Sequence, residues 1–118
     1  MDTAEFNKLI NNGASFLVAN DGQFLGRLSL NKNILDSISN EYGLYGNKYS
    51  LTSIFNKYCT YGNPNSLLSP FNPYSTTPPA IYLRGQQIGY LTANKFIKGG
   101  IDPSRLNEWM EINKLLYF

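Results

Sequence analysis

Residues 31–78 consist of three tandem copies of a 16-residue repeat, and any fold for this chain has to accommodate them. Sixteen residues are too few for a pair of helices, and neither a helical nor a strand period runs through a copy. Each copy is therefore expected to be irregular, with turns at its Asn and Gly residues, and to become stable by packing on its neighbours. Five positions are the same in all three copies: Asn31/Asn47/Asn63, Leu35/Leu51/Leu67, Ser37/Ser53/Ser69, Asn40/Asn56/Asn72 and Tyr42/Tyr58/Tyr74.

The residues that recur in every copy are interpreted as structural, because a repeat retains what its own fold requires. We expect the three leucines to form one layer of a common core and the tyrosines to form another. The repeated Asn and Ser side chains are expected to bond to buried backbone groups. The structural set is Asn40, Asn56, Asn72, Tyr42, Tyr58 and Tyr74, and the less regular Tyr45, Tyr49 and Tyr61 are candidate binding residues that can point outward.

Two similar segments flank the repeats and predict β-hairpins over residues 14–31 and 79–96. Gly22–Lys32 aligns with Gly85–Lys95, and each follows an apolar run. A tight turn containing Gly between two such runs is a strong hairpin signal. Gly26 and Gly89 fall inside the return strands, where glycine usually marks a bulge or a close backbone approach. The two hairpins are expected to close the two sides of the repeat array.

A short helix is predicted at each end, over residues 1–13 and 102–116. Asp2 or Thr3 can cap the first and Gly13 can end it, while Asp102 followed by Pro103 is typical of a helix start. One apolar stripe on each is expected to pack inward: Phe6, Leu9 and Ile10, then Leu106, Trp109, Met110 and Leu116 or Tyr117. The length of 118 residues fits a single domain. The predicted class is α+β, mainly β, with two hairpins flanking three irregular repeats and a short helix at each terminus.

Composition excludes several kinds of chemistry. The chain contains no histidine, which excludes histidine-based acid–base catalysis, Ser–His and Cys–His nucleophile pairs and histidine-ligated metals. The single cysteine, Cys59, has no partner for an internal disulfide or a cysteine-rich metal site, and we interpret it as a structural thiol. No motif predicts a metal or a cofactor.

Charge and hydropathy give no reason to expect a nucleic-acid or membrane partner. The formal net charge is +2 and the basic residues are scattered along the chain. The N-terminal segment lacks the features of a signal peptide, and no apolar stretch approaches the ~20 residues that cross a bilayer. The expectation is a cytoplasmic bacterial-type protein without a membrane span. Export by a route that needs no signal peptide stays open.

The repeat blocks resemble a family of small uncharacterised bacterial proteins with tandem Asn-x-Tyr-Gly-x-Tyr-Gly-Asn/Ser-x-Tyr-Ser units. The matching blocks are Asn40–Ser50, Asn56–Asn63 and Asn72–Tyr74, followed by Pro78-Pro79 and the strand Gly89–Thr92. The likeness covers about residues 14–103. It implies no activity and supplies no catalytic residue. The chain departs from the pattern at Cys59, where the family has Gly, and in its third copy, which lacks the Tyr-Gly pair.

These observations favour a non-catalytic binding module for a protein or another macromolecule, with a protein as the first expectation. One alternative is carbohydrate binding through exposed tyrosine rings, which suit sugars as well as peptides. Another is a hydrolase or transferase that works without histidine. Asp36 and Glu41 are its candidate carboxylate pair, since the other acidic residues fit a turn, a cap or solvated helix faces.

Overall fold

The computed structural model describes residues 1–116. They form one five-stranded sheet, with a short helix near each end of the chain. This confirms the predicted α+β class. Helix α1 spans Thr3–Asn11 and helix α2 spans Leu106–Ile112, the latter preceded by a short 3-10 helix at Pro103–Arg105. The strands are β1 (Phe16–Val18), β2 (Phe24–Arg27), β3 (Ala80–Leu83), β4 (Gln86–Leu91) and β5 (Gly100–Ile101).

The strand order is β2-β1-β3-β4-β5, and the two antiparallel pairs β1–β2 and β3–β4 are neighbours in the same sheet. β1 pairs with β3, with Leu17 opposite Ile81. The expectation that two hairpins close opposite sides of the repeats is therefore wrong. The repeats instead leave the edge strand β2 and return to the central strand β3. The fifth strand, which the sequence did not predict, lies parallel to β4.

Two glycines lie where the pairing register shifts. The shift falls between Leu17 and Val18 in the first pair and between Ile81 and Tyr82 in the second. Gly26 has a φ of +119°, and a β-carbon there would lie 2.5 Å from Cγ2 of Ile38. A β-carbon on Gly89 would overlap the carbonyl oxygen of Gly99. Gly26 thus allows the first repeat to pack on β2, and Gly89 allows the loop before β5 to pack on β4.

The core divides between the two faces of the sheet, because successive strand residues point to opposite sides. On one face Phe16 stacks on Tyr82 with ring centroids 4.7 Å apart, and Phe6 of α1 packs edge-on against Phe16. The other face is covered by the repeats and α2. Its buried residues include Leu17, Leu25, Leu28, Ile38, Ile54, Ile81, Leu91, Leu106, Met110 and Leu115.

Helix α1 and the 3-10 helix before α2 each begin at a side-chain cap, whereas α2 itself has none. Asp2 Oδ1 accepts a hydrogen bond from the backbone N–H of Glu5, and Asp102 Oδ1 accepts one from that of Ser104. In the C-terminal stripe Leu106 and Met110 are buried, but Leu115 takes the inward place predicted for Leu116, which is exposed. Tyr117, the other residue predicted there, lies outside the described residues.

The repeats form no strand; they are chains of successive β-turns. Within each copy a backbone N–H bonds to the carbonyl three residues earlier, as in Ser53 to Ser50, Asn56 to Ser53 and Cys59 to Asn56. The turn starts advance by three residues through a copy, and one extra residue near its end completes the 16. The sequence analysis did not recognise this period of three, although Asn or Ser begins most of the steps.

Candidate binding surface

Asparagine begins seven of the turns in the described residues, and all seven have the same local bond. In each turn, called here an Asn-led turn, the side-chain Oδ1 of Asn accepts a hydrogen bond from the backbone N–H two residues later. This Asx bond satisfies a donor that the turn leaves open. The turns begin at Asn31, Asn40, Asn47, Asn56, Asn63, Asn72 and Asn94.

The buried asparagines make a second bond across the repeat. Nδ2 of Asn56 donates to the carbonyl of Ser50, which lies two turns earlier, at 2.9 Å. Asn40 and Asn72 repeat the bond with Ile34 and Ser66. Within residues 1–116 no buried side-chain nitrogen or oxygen lacks a hydrogen-bond partner. These amides therefore stabilise the turns and are not free to bind a ligand.

The expected core layers of leucine and tyrosine are wrong, because both rows point into solvent. Leu35, Leu51 and Leu67 are 85%, 76% and 63% exposed, and the core positions are filled instead by Ile38, Ile54 and Pro70. The third residue of an Asn-led turn contributes only its N–H to the scaffold, so its side chain points outward. That residue is aromatic in five of the seven turns: Tyr42 (94% exposed), Tyr49 (74%), Tyr58 (80%), Tyr74 (85%) and Phe96 (96%).

Of the three tyrosines proposed from the sequence as binding residues, only Tyr49 is exposed to this extent. Tyr45 and Tyr61 are half-buried and pack against the core. The Tyr45 ring meets Phe24 edge-on, with centroids 5.0 Å apart. The Tyr61 hydroxyl donates to Oδ2 of Asp21 at 2.7 Å. Burial, then the hydrogen bond to Asp21 and its negative charge, raise the pKa of Tyr61 to about 12.

An open groove of about 610 Å³ lies where the first two repeats approach α2. We call it the repeat groove. Tyr42 and Tyr49, both from Asn-led turns, line it together with the half-exposed ring of Phe55. Lys48 places its Nζ 5.3 Å from the centre of the Tyr49 ring. Polar groups complete the lining: Lys32, Glu41, Asn47 and Asn107.

The candidate carboxylate pair is not brought together. Glu41 lines the repeat groove, whereas Asp36 lines a different cleft of about 440 Å³ beside α1. Asp36 forms an ion pair there with Arg27, whose Nε lies 3.2 Å from Oδ1 of Asp36. Tyr45 lines that cleft too, and its pKa is raised by burial and, to a smaller extent, by the charges of Asp36 and Glu5.

Cys59 is buried inside the second repeat, where its thiol donates to the carbonyl of Ser53 at 3.3 Å. Residues 1–116 contain no group of three or more acidic or cysteine side chains placed to hold a metal ion. Over the same residues no helix has the length and apolar character needed to cross a bilayer.

Comparison with known protein families, curated proteins and solved structures finds no match for this chain. Its functional assignment therefore depends on the geometry of the surface. The sequence did contain a signal for that surface, since an aromatic residue follows Asn by two positions in Asn40-Glu41-Tyr42, in three further steps of the repeats and in Asn94-Lys95-Phe96.

Proposed function

We propose that this protein is a non-catalytic binding module that holds a macromolecular ligand on the exposed aromatic rings of its Asn-led turns. One observation carries the proposal. The rings of Tyr42, Tyr58, Tyr74 and Phe96 are 80–96% exposed at equivalent points of the scaffold. Their turns need only a backbone N–H there, which any residue except proline supplies. The fold therefore does not account for an aromatic side chain.

The separation between scaffold and surface supports the same proposal. Buried Asn and Ser side chains form hydrogen bonds to the backbone, while the aromatic residues of the same turns point into solvent. Single exposed apolar residues are ordinary on a protein surface, but aromatic side chains are enriched at interaction surfaces. The rigid turns also hold the ring positions before binding, which reduces the entropy lost on association.

The test compares two triple variants with the wild-type protein. The variant Tyr42→Ser/Tyr58→Ser/Tyr74→Ser removes the rings. The control Leu35→Ser/Leu51→Ser/Leu67→Ser removes three leucines of the same copies that are 63–85% exposed. Each immobilised protein is challenged with native bacterial lysate, and retained protein, nucleic acid and carbohydrate are quantified. Circular dichroism and thermal unfolding confirm that both variants are folded.

We expect a ligand that is retained by the wild-type protein and the leucine variant and is lost from the tyrosine variant. Equal retention by all three proteins would contradict the proposal, because the rings would then contribute nothing. So would retention no greater than that of heat-denatured protein.

A further inference from the structure

We infer that the repeat groove binds an oligosaccharide chain of pyranose units, an assignment that rests on the proposed function and specifies its ligand. The groove combines three exposed or half-exposed rings, from Tyr42, Tyr49 and Phe55, with side chains that form hydrogen bonds. A pyranose has apolar C–H faces and a rim of hydroxyl groups. It can therefore stack on a ring and bond to polar side chains at the same time.

The polar groups of the groove suit hydroxyl groups. Within residues 1–116, the side chains of Glu41 and Asn107 make no hydrogen bond to the protein, and Asn47 uses its Oδ1 but not its Nδ2. A carboxylate accepts from a hydroxyl, an amide both donates and accepts, and the ammonium groups of Lys32 and Lys48 donate. A sugar hydroxyl, which is both donor and acceptor, can pair with each of them.

The size of the groove argues against a protein as its occupant. Its volume of about 610 Å³ falls within the roughly 300–1,000 Å³ typical of sites for small ligands. A stable protein–protein interface covers about 800 Å² on each partner and is usually broad. A chain of a few sugar units is of a size to fill such a groove.

The charges of the groove argue against a single-stranded nucleic acid. Proteins that bind such strands place rings in a groove whose walls are positive along the phosphate backbone. Here the carboxylate of Glu41 lies among the same lining residues as Lys32 and Lys48, so the walls are not uniformly positive. An uncharged sugar does not require a row of positive charges.

The test is isothermal titration calorimetry with soluble uncharged pentasaccharides: cellopentaose, chitopentaose and maltopentaose. The groove variants are Tyr42→Ser and Tyr49→Ser. Leu51→Ser is the matched control, because it removes an apolar side chain that is 76% exposed, against 74% for Tyr49, and does not line the groove. Tyr49→Phe keeps the stacking face and should restore affinity. The side-chain amide resonances of Asn47 and Asn107 in ¹H–¹⁵N spectra report hydrogen bonding directly.

We expect at least one pentasaccharide to bind, with its Kd raised at least tenfold by Tyr49→Ser and changed less than twofold by Leu51→Ser. Its addition should shift the Asn47 and Asn107 amide resonances. Binding that is insensitive to both groove variants would overturn the assignment of the site. Oligothymidylate and a peptide library are titrated in the same way. The sugar ligand would be overturned if no pentasaccharide bound, whether or not either of these two probes did. In each of these cases the ring-dependent retention from lysate would still stand, and only its loss would contradict the proposed function.

Discussion

The α-carbon of Gly46 lies against the backbone carbonyl of Asn40, so closely that a β-carbon on residue 46 would overlap the carbonyl oxygen. Gly62 has the same relation to Asn56 one repeat later. Each contact closes the end of a copy, where the chain inserts its extra residue before the next Asn-led turn. The third copy has Pro78 at this place and continues into the sheet instead of another repeat.

Replacing either glycine by alanine should therefore destabilise the fold. We expect Gly46→Ala and Gly62→Ala each to lower the free energy of unfolding by about 1–3 kcal/mol, because the backbone around the turn has to move to accept the methyl group. Urea unfolding followed by circular dichroism measures this. Thr60→Ala, at an exposed position two residues before Gly62, is the control and should change the value by less than about 0.5 kcal/mol. Glycine variants as stable as this control would show that the close approach is absent.

A second test compares two asparagines, Asn56 and Asn63, whose Oδ1 atoms accept the same local hydrogen bond in different environments. Asn56 is buried and bonds through both ends of its amide, to the N–H of Tyr58 and the carbonyl of Ser50. Asn63 bonds at the surface through Oδ1, to the N–H of Asn65. We expect Asn56→Ala to cost about 1–3 kcal/mol, since it removes two partly buried hydrogen bonds and leaves the N–H of Tyr58 without its partner. Asn63→Ala should cost about 0.5–1 kcal/mol, as for the loss of a single surface bond.

The measurement is again urea unfolding, with the slope of the transition used to check that both variants unfold from the same native state. Asn56→Asp adds a further control, because its ionised carboxylate keeps an acceptor and has no donor, whereas its protonated carboxyl has both. At a pH low enough to protonate the new carboxyl, its O–H can donate to the Ser50 carbonyl in place of Nδ2, and the stability of this variant should approach that of the wild-type protein. Equal costs at Asn56 and Asn63 would be inconsistent with a structural role for the second bond.

The sequence predicted the fold class because local signals agreed with the final structure. Apolar runs such as Phe16–Val18 and Ala80–Leu83 are strands, and the caps Asp2 and Asp102 are in place. The pairing of β1 with β3 could not be predicted in this way. It joins residues more than sixty positions apart, and nothing in either strand alone specifies its neighbour.

The orientation of the repeated leucine and tyrosine side chains was predicted wrongly in a specific way. Recurrence of Leu51 and Tyr58 in every copy was interpreted as burial, whereas a repeat with three residues per turn also exposes the same position each time. The way in which a whole copy curves over the sheet decides which position faces the core. In each copy only the third turn places its second residue inward, as at Ile54. That curvature is a tertiary property.

Truncation of Leu51 should therefore leave the free energy of unfolding almost unchanged, whereas truncation of Ile54 should lower it. Leu51 is 76% exposed, so Leu51→Ala should change the free energy of unfolding by less than about 0.5 kcal/mol. Ile54 is fully buried, so Ile54→Ala removes core contacts and leaves a cavity, at a cost of about 2–4 kcal/mol. Thermal and urea unfolding of the two variants make the comparison within one repeat. A leucine variant that loses as much stability as the isoleucine variant would place Leu51 in the core.

The burial of Tyr61 and its hydrogen bond to Asp21 make stability depend on pH in the alkaline range. The pKa of Tyr61 is raised from its ordinary value of 10.0 to about 12 in the folded protein, so folding favours the neutral phenol. This contribution is complete below pH 10. It is lost as the pH rises from 10 towards 12, because the unfolded chain then releases the proton that the folded chain retains.

Tyr61→Phe removes both the hydrogen bond and the titrating group, so the difference in unfolding free energy between it and the wild-type protein isolates this effect. We expect the wild-type protein to be more stable at pH 8 and to lose that advantage progressively above pH 10. Tyr45 and Tyr82, whose pKa values are also raised, mainly by burial, are present in both proteins and should cancel in the difference. Urea unfolding at a series of pH values gives the two curves. If they stayed parallel from pH 8 to the alkaline limit, the Tyr61 hydroxyl would titrate alike in the folded and unfolded chains, and the bond to Asp21 would have no part in stability.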